Sequence, residues 1–279
     1  MIQVAICAPS APFSREDAAR VTDLAAAHGG IELHFDPQCF VAEGHFAGPD
    51  ELRLEKFVKL ANDPAFDAVW FARGGYGSNR IAEAAIERLG PAARGKQYLG
   101  YSDGGYLLAA LYRAGIGQPV HASMPADIKR EGGEAAVQRV LDWLCGDHAG
   151  LEPSLDNRPT VAFNLTTLAM LCGTPMMPDL AGHVVMVEEV SEHLYAVDRL
   201  FFHITSHLAG KAGAGIAGYR LGRVCDVPEN DRPFGATAEQ IARFWCQRHA
   251  IPFLGTADIG HDAQNRIVPF GLAAKARQT

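Results

Sequence analysis

With 279 residues, the chain has room for one large domain or two modest ones. Hydrophobic residues make up 48% and charged residues 20%, a balance that supports a packed core and excludes extensive disorder. The formal net charge of −7 argues against nucleic acid or an anionic membrane as the main partner, while leaving room for a local basic pocket.

Ile2–Cys7 reads as a buried strand; it is too short for a signal core and no basic residue precedes it. The turn-rich Ala8-Pro9-Ser10-Ala11-Pro12 follows. A helix is predicted over Ser14–His28, with Ser14 as its cap and Glu16-Asp17 in its first turn. Ile31–Phe35 is the next strand, and Asp50–Asn62 is a helix carrying Leu52, Phe57, Val58 and Leu60 among charges. Ala68–Ala72 and Gln97–Gly100 are predicted as strands and Tyr106–Ala114 as a helix. Such alternation points to an α/β sheet. Residues 132–144 form one more amphipathic helix. Gly146–Pro159, rich in Gly, Pro, Asp and Asn, is the candidate linker. Beyond it, Asn164–Cys172 and Asp198–Leu208 read as helical and His183–Val187 as a valine-rich strand. The remainder is punctuated by glycine and proline around short apolar runs. This texture predicts a second, smaller domain built largely of short strands, dividing the chain into residues 1–150 and 160–279.

No apolar stretch approaches the roughly 20 residues that span a bilayer. The six cysteines are scattered with no C-x-x-C pair, which reads as reduced thiols in a cytosolic protein rather than a disulfide frame or zinc site.

Gly100-Tyr101-Ser102-Asp103-Gly104 matches G-x-S-x-G between a predicted strand and a predicted helix, the setting that gives the pattern chemical meaning. A sharp turn there projects the Ser102 hydroxyl from the sheet, and the N–H of Asp103 points to where an oxyanion would form. The alternative is an ordinary turn that uses glycine for its backbone freedom. A second glycine loop, Arg73-Gly74-Gly75-Tyr76-Gly77-Ser78, also follows a strand and offers backbone amides to an anion. It has no G-K-[ST] and does not spell G-x-G-x-x-G, so neither a Walker loop nor a dinucleotide site is indicated.

A serine nucleophile needs a histidine base and a carboxylate that orients it. Of eleven histidines, His261 lies in a polar loop, Asp258-Ile259-Gly260-His261-Asp262, whereas His121 reads as a packing residue beside the serine helix. His203 and His207 have i, i+4 spacing without the glutamate of H-E-x-x-H. For the carboxylate, Glu188 closes the valine-rich strand, and Glu189 and Glu192 remain open alternatives at this level.

Taken together, several segments resemble the LD-carboxypeptidases, a family of serine peptidases that includes murein tetrapeptide carboxypeptidases and microcin C self-immunity peptidases. They are Ala8-Pro9-Ser10, Phe46-Ala47-Gly48, Asp67 to Gly77, Leu99-Gly100-Tyr101-Ser102-Asp103, Asn164-Leu165, Gly173-Thr174-Pro175, Val187 to Glu192 with Tyr195 and Asp198-Arg199, and Gly260-His261. The resemblance implies a triad of Ser102, Glu188 and His261, with the backbone amides of Gly75 and Asp103 as oxyanion hole and no metal or cofactor. It implies an N-terminal Rossmann-like α/β domain carrying the serine and a smaller C-terminal β-rich, barrel-like domain carrying the other two. It further implies a cytoplasmic homodimer that releases terminal D-alanine from murein tetrapeptide in cell-wall recycling.

Three departures stand out. The family usually has a bulky residue and a threonine where this chain has Gly104-Gly105, Glu-Asp where it has Glu188-Glu189, and Gly-Gly where it has Ala162-Phe163. The first is expected to widen the pocket beside the nucleophile. Arg73 and Arg223 are the candidates for pairing with the substrate carboxylate, since a guanidinium fork suits it; for Arg73, bracing its own glycine loop is the favoured alternative. Two rival readings are a serine peptidase of the same fold that detoxifies a peptide–nucleotide antibiotic, which would want an aromatic platform such as Trp70 or Trp245, and a non-catalytic α/β binding module.

Overall fold

In the computed structural model, which describes residues 1–209 and 215–272, the α/β expectation for the first half holds. The first half runs β1 (Ile2–Cys7), α1 (Arg15–His28), β2 (Ile31–Phe35), α2 (Asp50–Asn62), β3 (Ala68–Phe71), α3 (Asn79–Glu87), β4 (Gln97–Gly100), α4 (Gly105–Ala114), β5 (Gln118–His121) and α5 (Gly133–Leu144). Local chemistry sets these boundaries. Ser14 caps α1 by accepting from the Asp17 N–H, with Glu16 and Asp17 in the positive first turn. All four residues of β3 are buried, as expected for a strand covered by helices on both faces.

Strands β2, β1, β3, β4 and β5 lie side by side in that order and are all parallel. The order is the flavodoxin-like doubly wound arrangement rather than the 3-2-1-4-5-6 order of the dinucleotide fold, and it reverses between β1 and β3. Ligands bind such sheets at the carboxyl ends of the strands flanking that reversal. The loops that leave β1, β3 and β4 there carry Ser10, the Gly74-Gly75 pair and Ser102. Helix α3 and strand β5 lie outside the sequence-based expectations; β5 contains Pro119, which lacks an N–H and weakens any strand signal.

The second half contains β6 (Thr160–Asn164), α6 (Leu165–Leu171), β7 (Val184–Val190), α7 (Leu194–Leu208), β8 (Gly218–Cys225), α8 (Ala238–Arg248), β9 (Phe253–Thr256) and β10 (Val268–Pro269). Strands β6 to β9 form a separate parallel sheet in sequence order. The expected β-rich, barrel-like character needs refinement here. Parallel neighbours cannot be joined by hairpins, so α6, α7 and α8 supply the crossovers and the sheet stays open. Helix α8 was missed although Thr237 and Gln240 form a reciprocal capping box at its start.

The chain then returns to the first sheet. Strand β10 pairs antiparallel with β5, placing Val268 opposite His121 and Pro269 opposite Val120. The predicted linker is pinned by the same return, since Glu152 N donates to Ile267 O at 3.0 Å. One apolar core runs through both halves, joining Phe71 and Leu107 to Phe163, Leu168, Val187 and Phe201. Among the described residues no helix is long and apolar enough to cross a membrane.

Candidate active site

Ser102 sits in a left-handed backbone conformation, φ 57°, directly between β4 and the first turn leading into α4. A side-chain-bearing residue is strained there, and the surroundings hold it in place. The flanking glycines are explained by Phe71 at the end of β3. A Cβ on Gly100 would lie 2.6 Å from Phe71 Cδ2, and one on Gly104 would lie 2.9 Å from it. Gly74 is equally constrained, since a Cβ there would meet Ser102 Oγ at 3.0 Å. The two glycine motifs thus specify one close packing of the β3 and β4 loops.

Asp103 points away from the cavity, as expected of the residue after an elbow serine. Its buried carboxylate accepts from Ser10 Oγ at 2.5 Å and from Ser78 N at 2.8 Å, while Ser78 Oγ donates to the Asp103 carbonyl. The loops after β1, β3 and β4 are tied together through this one side chain.

Glu188 and His261 come from distant parts of the chain and meet in the interior. His261 Nδ1 lies 2.5 Å from Glu188 Oε2, with Glu188 fully buried and His261 7% exposed. Gly222 on β8 makes the meeting possible. A Cβ there would lie 2.7 Å from Ile259 and 3.0 Å from Glu188 Cβ, so only glycine lets the 258–262 loop settle over β7 and β8. Arg223 N donates to Ile259 O at 2.8 Å and holds the loop down. Burial alone would depress the His261 imidazole, but the charge and hydrogen bond of Glu188 outweigh it and hold the pKa above its ordinary value. The Tyr101 ring packs against His261 with centroids 4.7 Å apart.

Ser102, His261, Gly74 and Gly75 line one cavity of about 540 Å³. Ser102 Oγ makes no hydrogen bond to a described residue, while the Ser102 carbonyl accepts from Thr167 Oγ1 at 3.2 Å. Among the described residues, three of the four non-glycine residues with positive φ, Ser102, Ser191 and Asp226, line this cavity. Such strain concentrates where function demands it.

The LD-carboxypeptidase N-terminal domain model matches residues 4–122, and the LD-carboxypeptidase C-terminal domain model matches residues 159–276. The chain belongs to the LD-carboxypeptidase family. It is 26% identical over 291 residues to the murein tetrapeptide carboxypeptidase of Pseudomonas aeruginosa, covering 98% of this chain and 92% of that protein. Its fold is that of the muramoyltetrapeptide carboxypeptidase from Oxalobacter formigenes, with a TM-score of 0.79, 22% identity, and coverage of 96% and 92%. The microcin C7 self immunity protein MccF is also similar, with a TM-score of 0.74, 17% identity, and coverage of 97% and 91%. Family membership makes this chain a serine-type carboxypeptidase, a hydrolase.

The other residues singled out in the sequence divide clearly. In this LD-carboxypeptidase, Glu189 turns to the opposite face of β7 from Glu188. Its carboxylate accepts from Asn164 Nδ2, Val190 N, Thr166 N and Thr166 Oγ1, which secures the start of α6. Glu192 does not reach the cavity. Arg73 lines the cavity; rather than bracing its own glycine loop, it donates to Pro12 O at 3.3 Å. Arg223 is not brought to the cavity. Its guanidinium is bound to Asp262 and Asp258, within the His261 loop itself. Nor do Gly104 and Gly105 widen the pocket. Both are buried; a Cβ on Gly104 would meet Phe71 Cδ2 at 2.9 Å and one on Gly105 would meet Thr167 Cγ2 at 3.0 Å, so it is Gly105 that lets α4 pack closely on α6. Trp70 is fully buried, and Trp245 lies on α8 away from the cavity, with its indole N–H donating to Asp198.

Sequence reasoning missed Asp127, Lys129 and Arg130, which line the cavity beyond β5. The signal was present as a dense charge cluster, Asp127-Ile128-Lys129-Arg130, one loop beyond a strand. It went unread because β5 itself was not recognised.

Proposed function

We propose that this LD-carboxypeptidase hydrolyses the L-to-D peptide bond of murein tetrapeptide, releasing terminal D-alanine in cell-wall recycling. The observation that carries this reading is the buried Glu188–His261 pair opening onto the cavity of the strained Ser102. Similarity to murein carboxypeptidases supports the choice of substrate.

In this mechanism Ser102 Oγ attacks the scissile carbonyl carbon. With Nδ1–H committed to Glu188, the lone pair of His261 Nε2 takes the serine proton. The tetrahedral oxyanion accepts from the backbone N–H groups of Gly75 and Asp103. His261 then returns the proton to the leaving amine of D-alanine, and water hydrolyses the acyl-enzyme by the same route. The chemistry calls on no metal or organic cofactor. Residues 1–150 act as the domain carrying the nucleophile and residues 160–279 as the domain carrying Glu188 and His261; residues 273–279 lie outside the described part. We further propose a cytoplasmic homodimer acting on a small peptide, with Arg73 contacting that peptide. The antibiotic-detoxifying alternative draws no support from either tryptophan.

Incubation with murein tetrapeptide and with its all-L counterpart, read out by product mass, tests the reading. D-alanine should be released from the first only, and Ser102→Ala should lower kcat roughly 10⁴-fold or more with unchanged circular dichroism. Cleavage of the all-L peptide, or of neither, would overturn the substrate assignment. Turnover retained in Ser102→Ala would remove Ser102 as nucleophile.

A further inference from the structure

An enzyme that removes one terminal residue must register the free carboxylate next to the bond it breaks, and three cations line the cavity: Arg73, Lys129 and Arg130. Lys129 is occupied, its Nζ lying 2.9 Å from Asp17 Oδ2 on α1. Arg73 is exposed, and its one hydrogen bond to a described residue is to Pro12 O. Arg130 differs from both.

Its Nε donates to Asp127 Oδ1 at 2.8 Å, and Asp127 is itself immobilised. The same Oδ1 accepts from Tyr101 OH at 2.9 Å, and Oδ2 accepts from Met124 N at 2.7 Å. Asp127 is 4% exposed and Tyr101 2% exposed, so this chain of bonds is shielded from solvent. Burial, followed by the nearby Asp127 charge, pushes the Tyr101 phenol well above its ordinary pKa and keeps it a donor. Because Arg130 is gripped at Nε, both terminal nitrogens of its guanidinium are left without a hydrogen bond to a described residue.

We propose that Arg130 reads the free C-terminal carboxylate of the substrate, and that Tyr101 and Asp127 are the positioning residues that aim it. The proposal rests on the hydrolytic reading above. Tyr101 is the residue before Ser102, so the nucleophile and the carboxylate reader are braced to one rigid turn. Two N–H groups in a fixed fork match the two oxygens of a carboxylate, and a pre-aimed fork loses little freedom on binding.

The test compares murein tetrapeptide with the same peptide ending in D-alaninamide. The native enzyme should prefer the acid by roughly 10- to 100-fold in kcat/KM, the range of a charge-assisted pair. Arg130→Gln should bring the acid-to-amide ratio of kcat/KM close to one. Arg130→Lys should keep part of the preference. Tyr101→Phe, which retains the ring against His261, should lower the acid-to-amide ratio, a quantity that general loosening of the fold would not move. Binding of both peptides to Ser102→Ala, with and without Arg130→Gln, gives the same comparison without turnover. If the native enzyme hydrolyses neither peptide, the hydrolytic reading fails while the binding arm still judges the arginine. An unchanged preference in Arg130→Gln, or its loss in Arg73→Gln, would overturn the proposal.

Discussion

At the scale of single residues, His261 is governed by two opposed effects. Burial favours the neutral imidazole, whereas the Glu188 carboxylate favours the imidazolium and prevails. A base must be neutral to accept the serine proton, so the acid limb of kcat/KM should lie above the pH expected of an ordinary imidazole. Glu188→Gln removes the charge and leaves the burial. The pKa of His261 should then fall, the acid limb should move to lower pH, and kcat should drop by roughly 10³- to 10⁴-fold as the ring loses its orienter. A kcat/KM profile against pH checks this, and a limb that stays in place would remove Glu188 from that role. The choice among Glu188, Glu189 and Glu192 was not legible locally. Consecutive strand residues face opposite ways, but only the packed neighbours reveal which side holds the histidine.

Single elements add a second level of control. Strand β7 serves both sheet faces at once, presenting Glu188 to the 258–262 loop and Glu189 to the start of α6. Glu189→Ala would strand the Asn164 amide and the Thr166 N–H away from water, at about 1–3 kcal/mol for each buried unpaired group. We expect a loss of about 2–4 kcal/mol in urea unfolding, with a lowered midpoint and little change in slope. An unchanged midpoint would show that α6 does not depend on this cap. The family departure at Glu188-Glu189 therefore falls on a residue that holds structure. The Gly104-Gly105 departure belongs with it, since Gly104 lies against Phe71, Gly105 governs how α4 meets α6, and neither lines the cavity.

Across the whole molecule, the return of the chain to the first sheet joins the two halves beside the site. Asn265, 1% exposed, carries that joint. Its Oδ1 accepts from His121 Nε2 on β5 at 3.0 Å and from Gly260 N at 3.1 Å, next to His261. Burial pushes the His121 pKa down to about 4, so it stands neutral and donates this bond. Asn265→Ala should therefore cost about 2–4 kcal/mol by leaving two buried donors unpaired. It should also lower kcat/KM, because the histidine loop would lose its tie to the nucleophile's sheet. Paired urea unfolding and kinetics check both effects; a change in stability with full activity would show that the joint does not position His261.

The serine turn, its strand–turn–helix setting and the α/β alternation of the first half were determined by the sequence alone. They depend on contacts within a few residues: a cap, an apolar run, and glycines where a Cβ has no room. The helical crossovers of the second half were partly written there too, in the Thr237–Gln240 capping box. Only the tertiary structure decided that Glu188 faces His261, that Arg223 clamps a loop outside the cavity, and that Arg130 enters it. Those outcomes depend on sheet register, on a strand that returns from residue 268 to residue 121, and on Gly222 letting two distant segments touch. A side chain's chemistry is local, but its direction and its partner are set by residues far away in the chain.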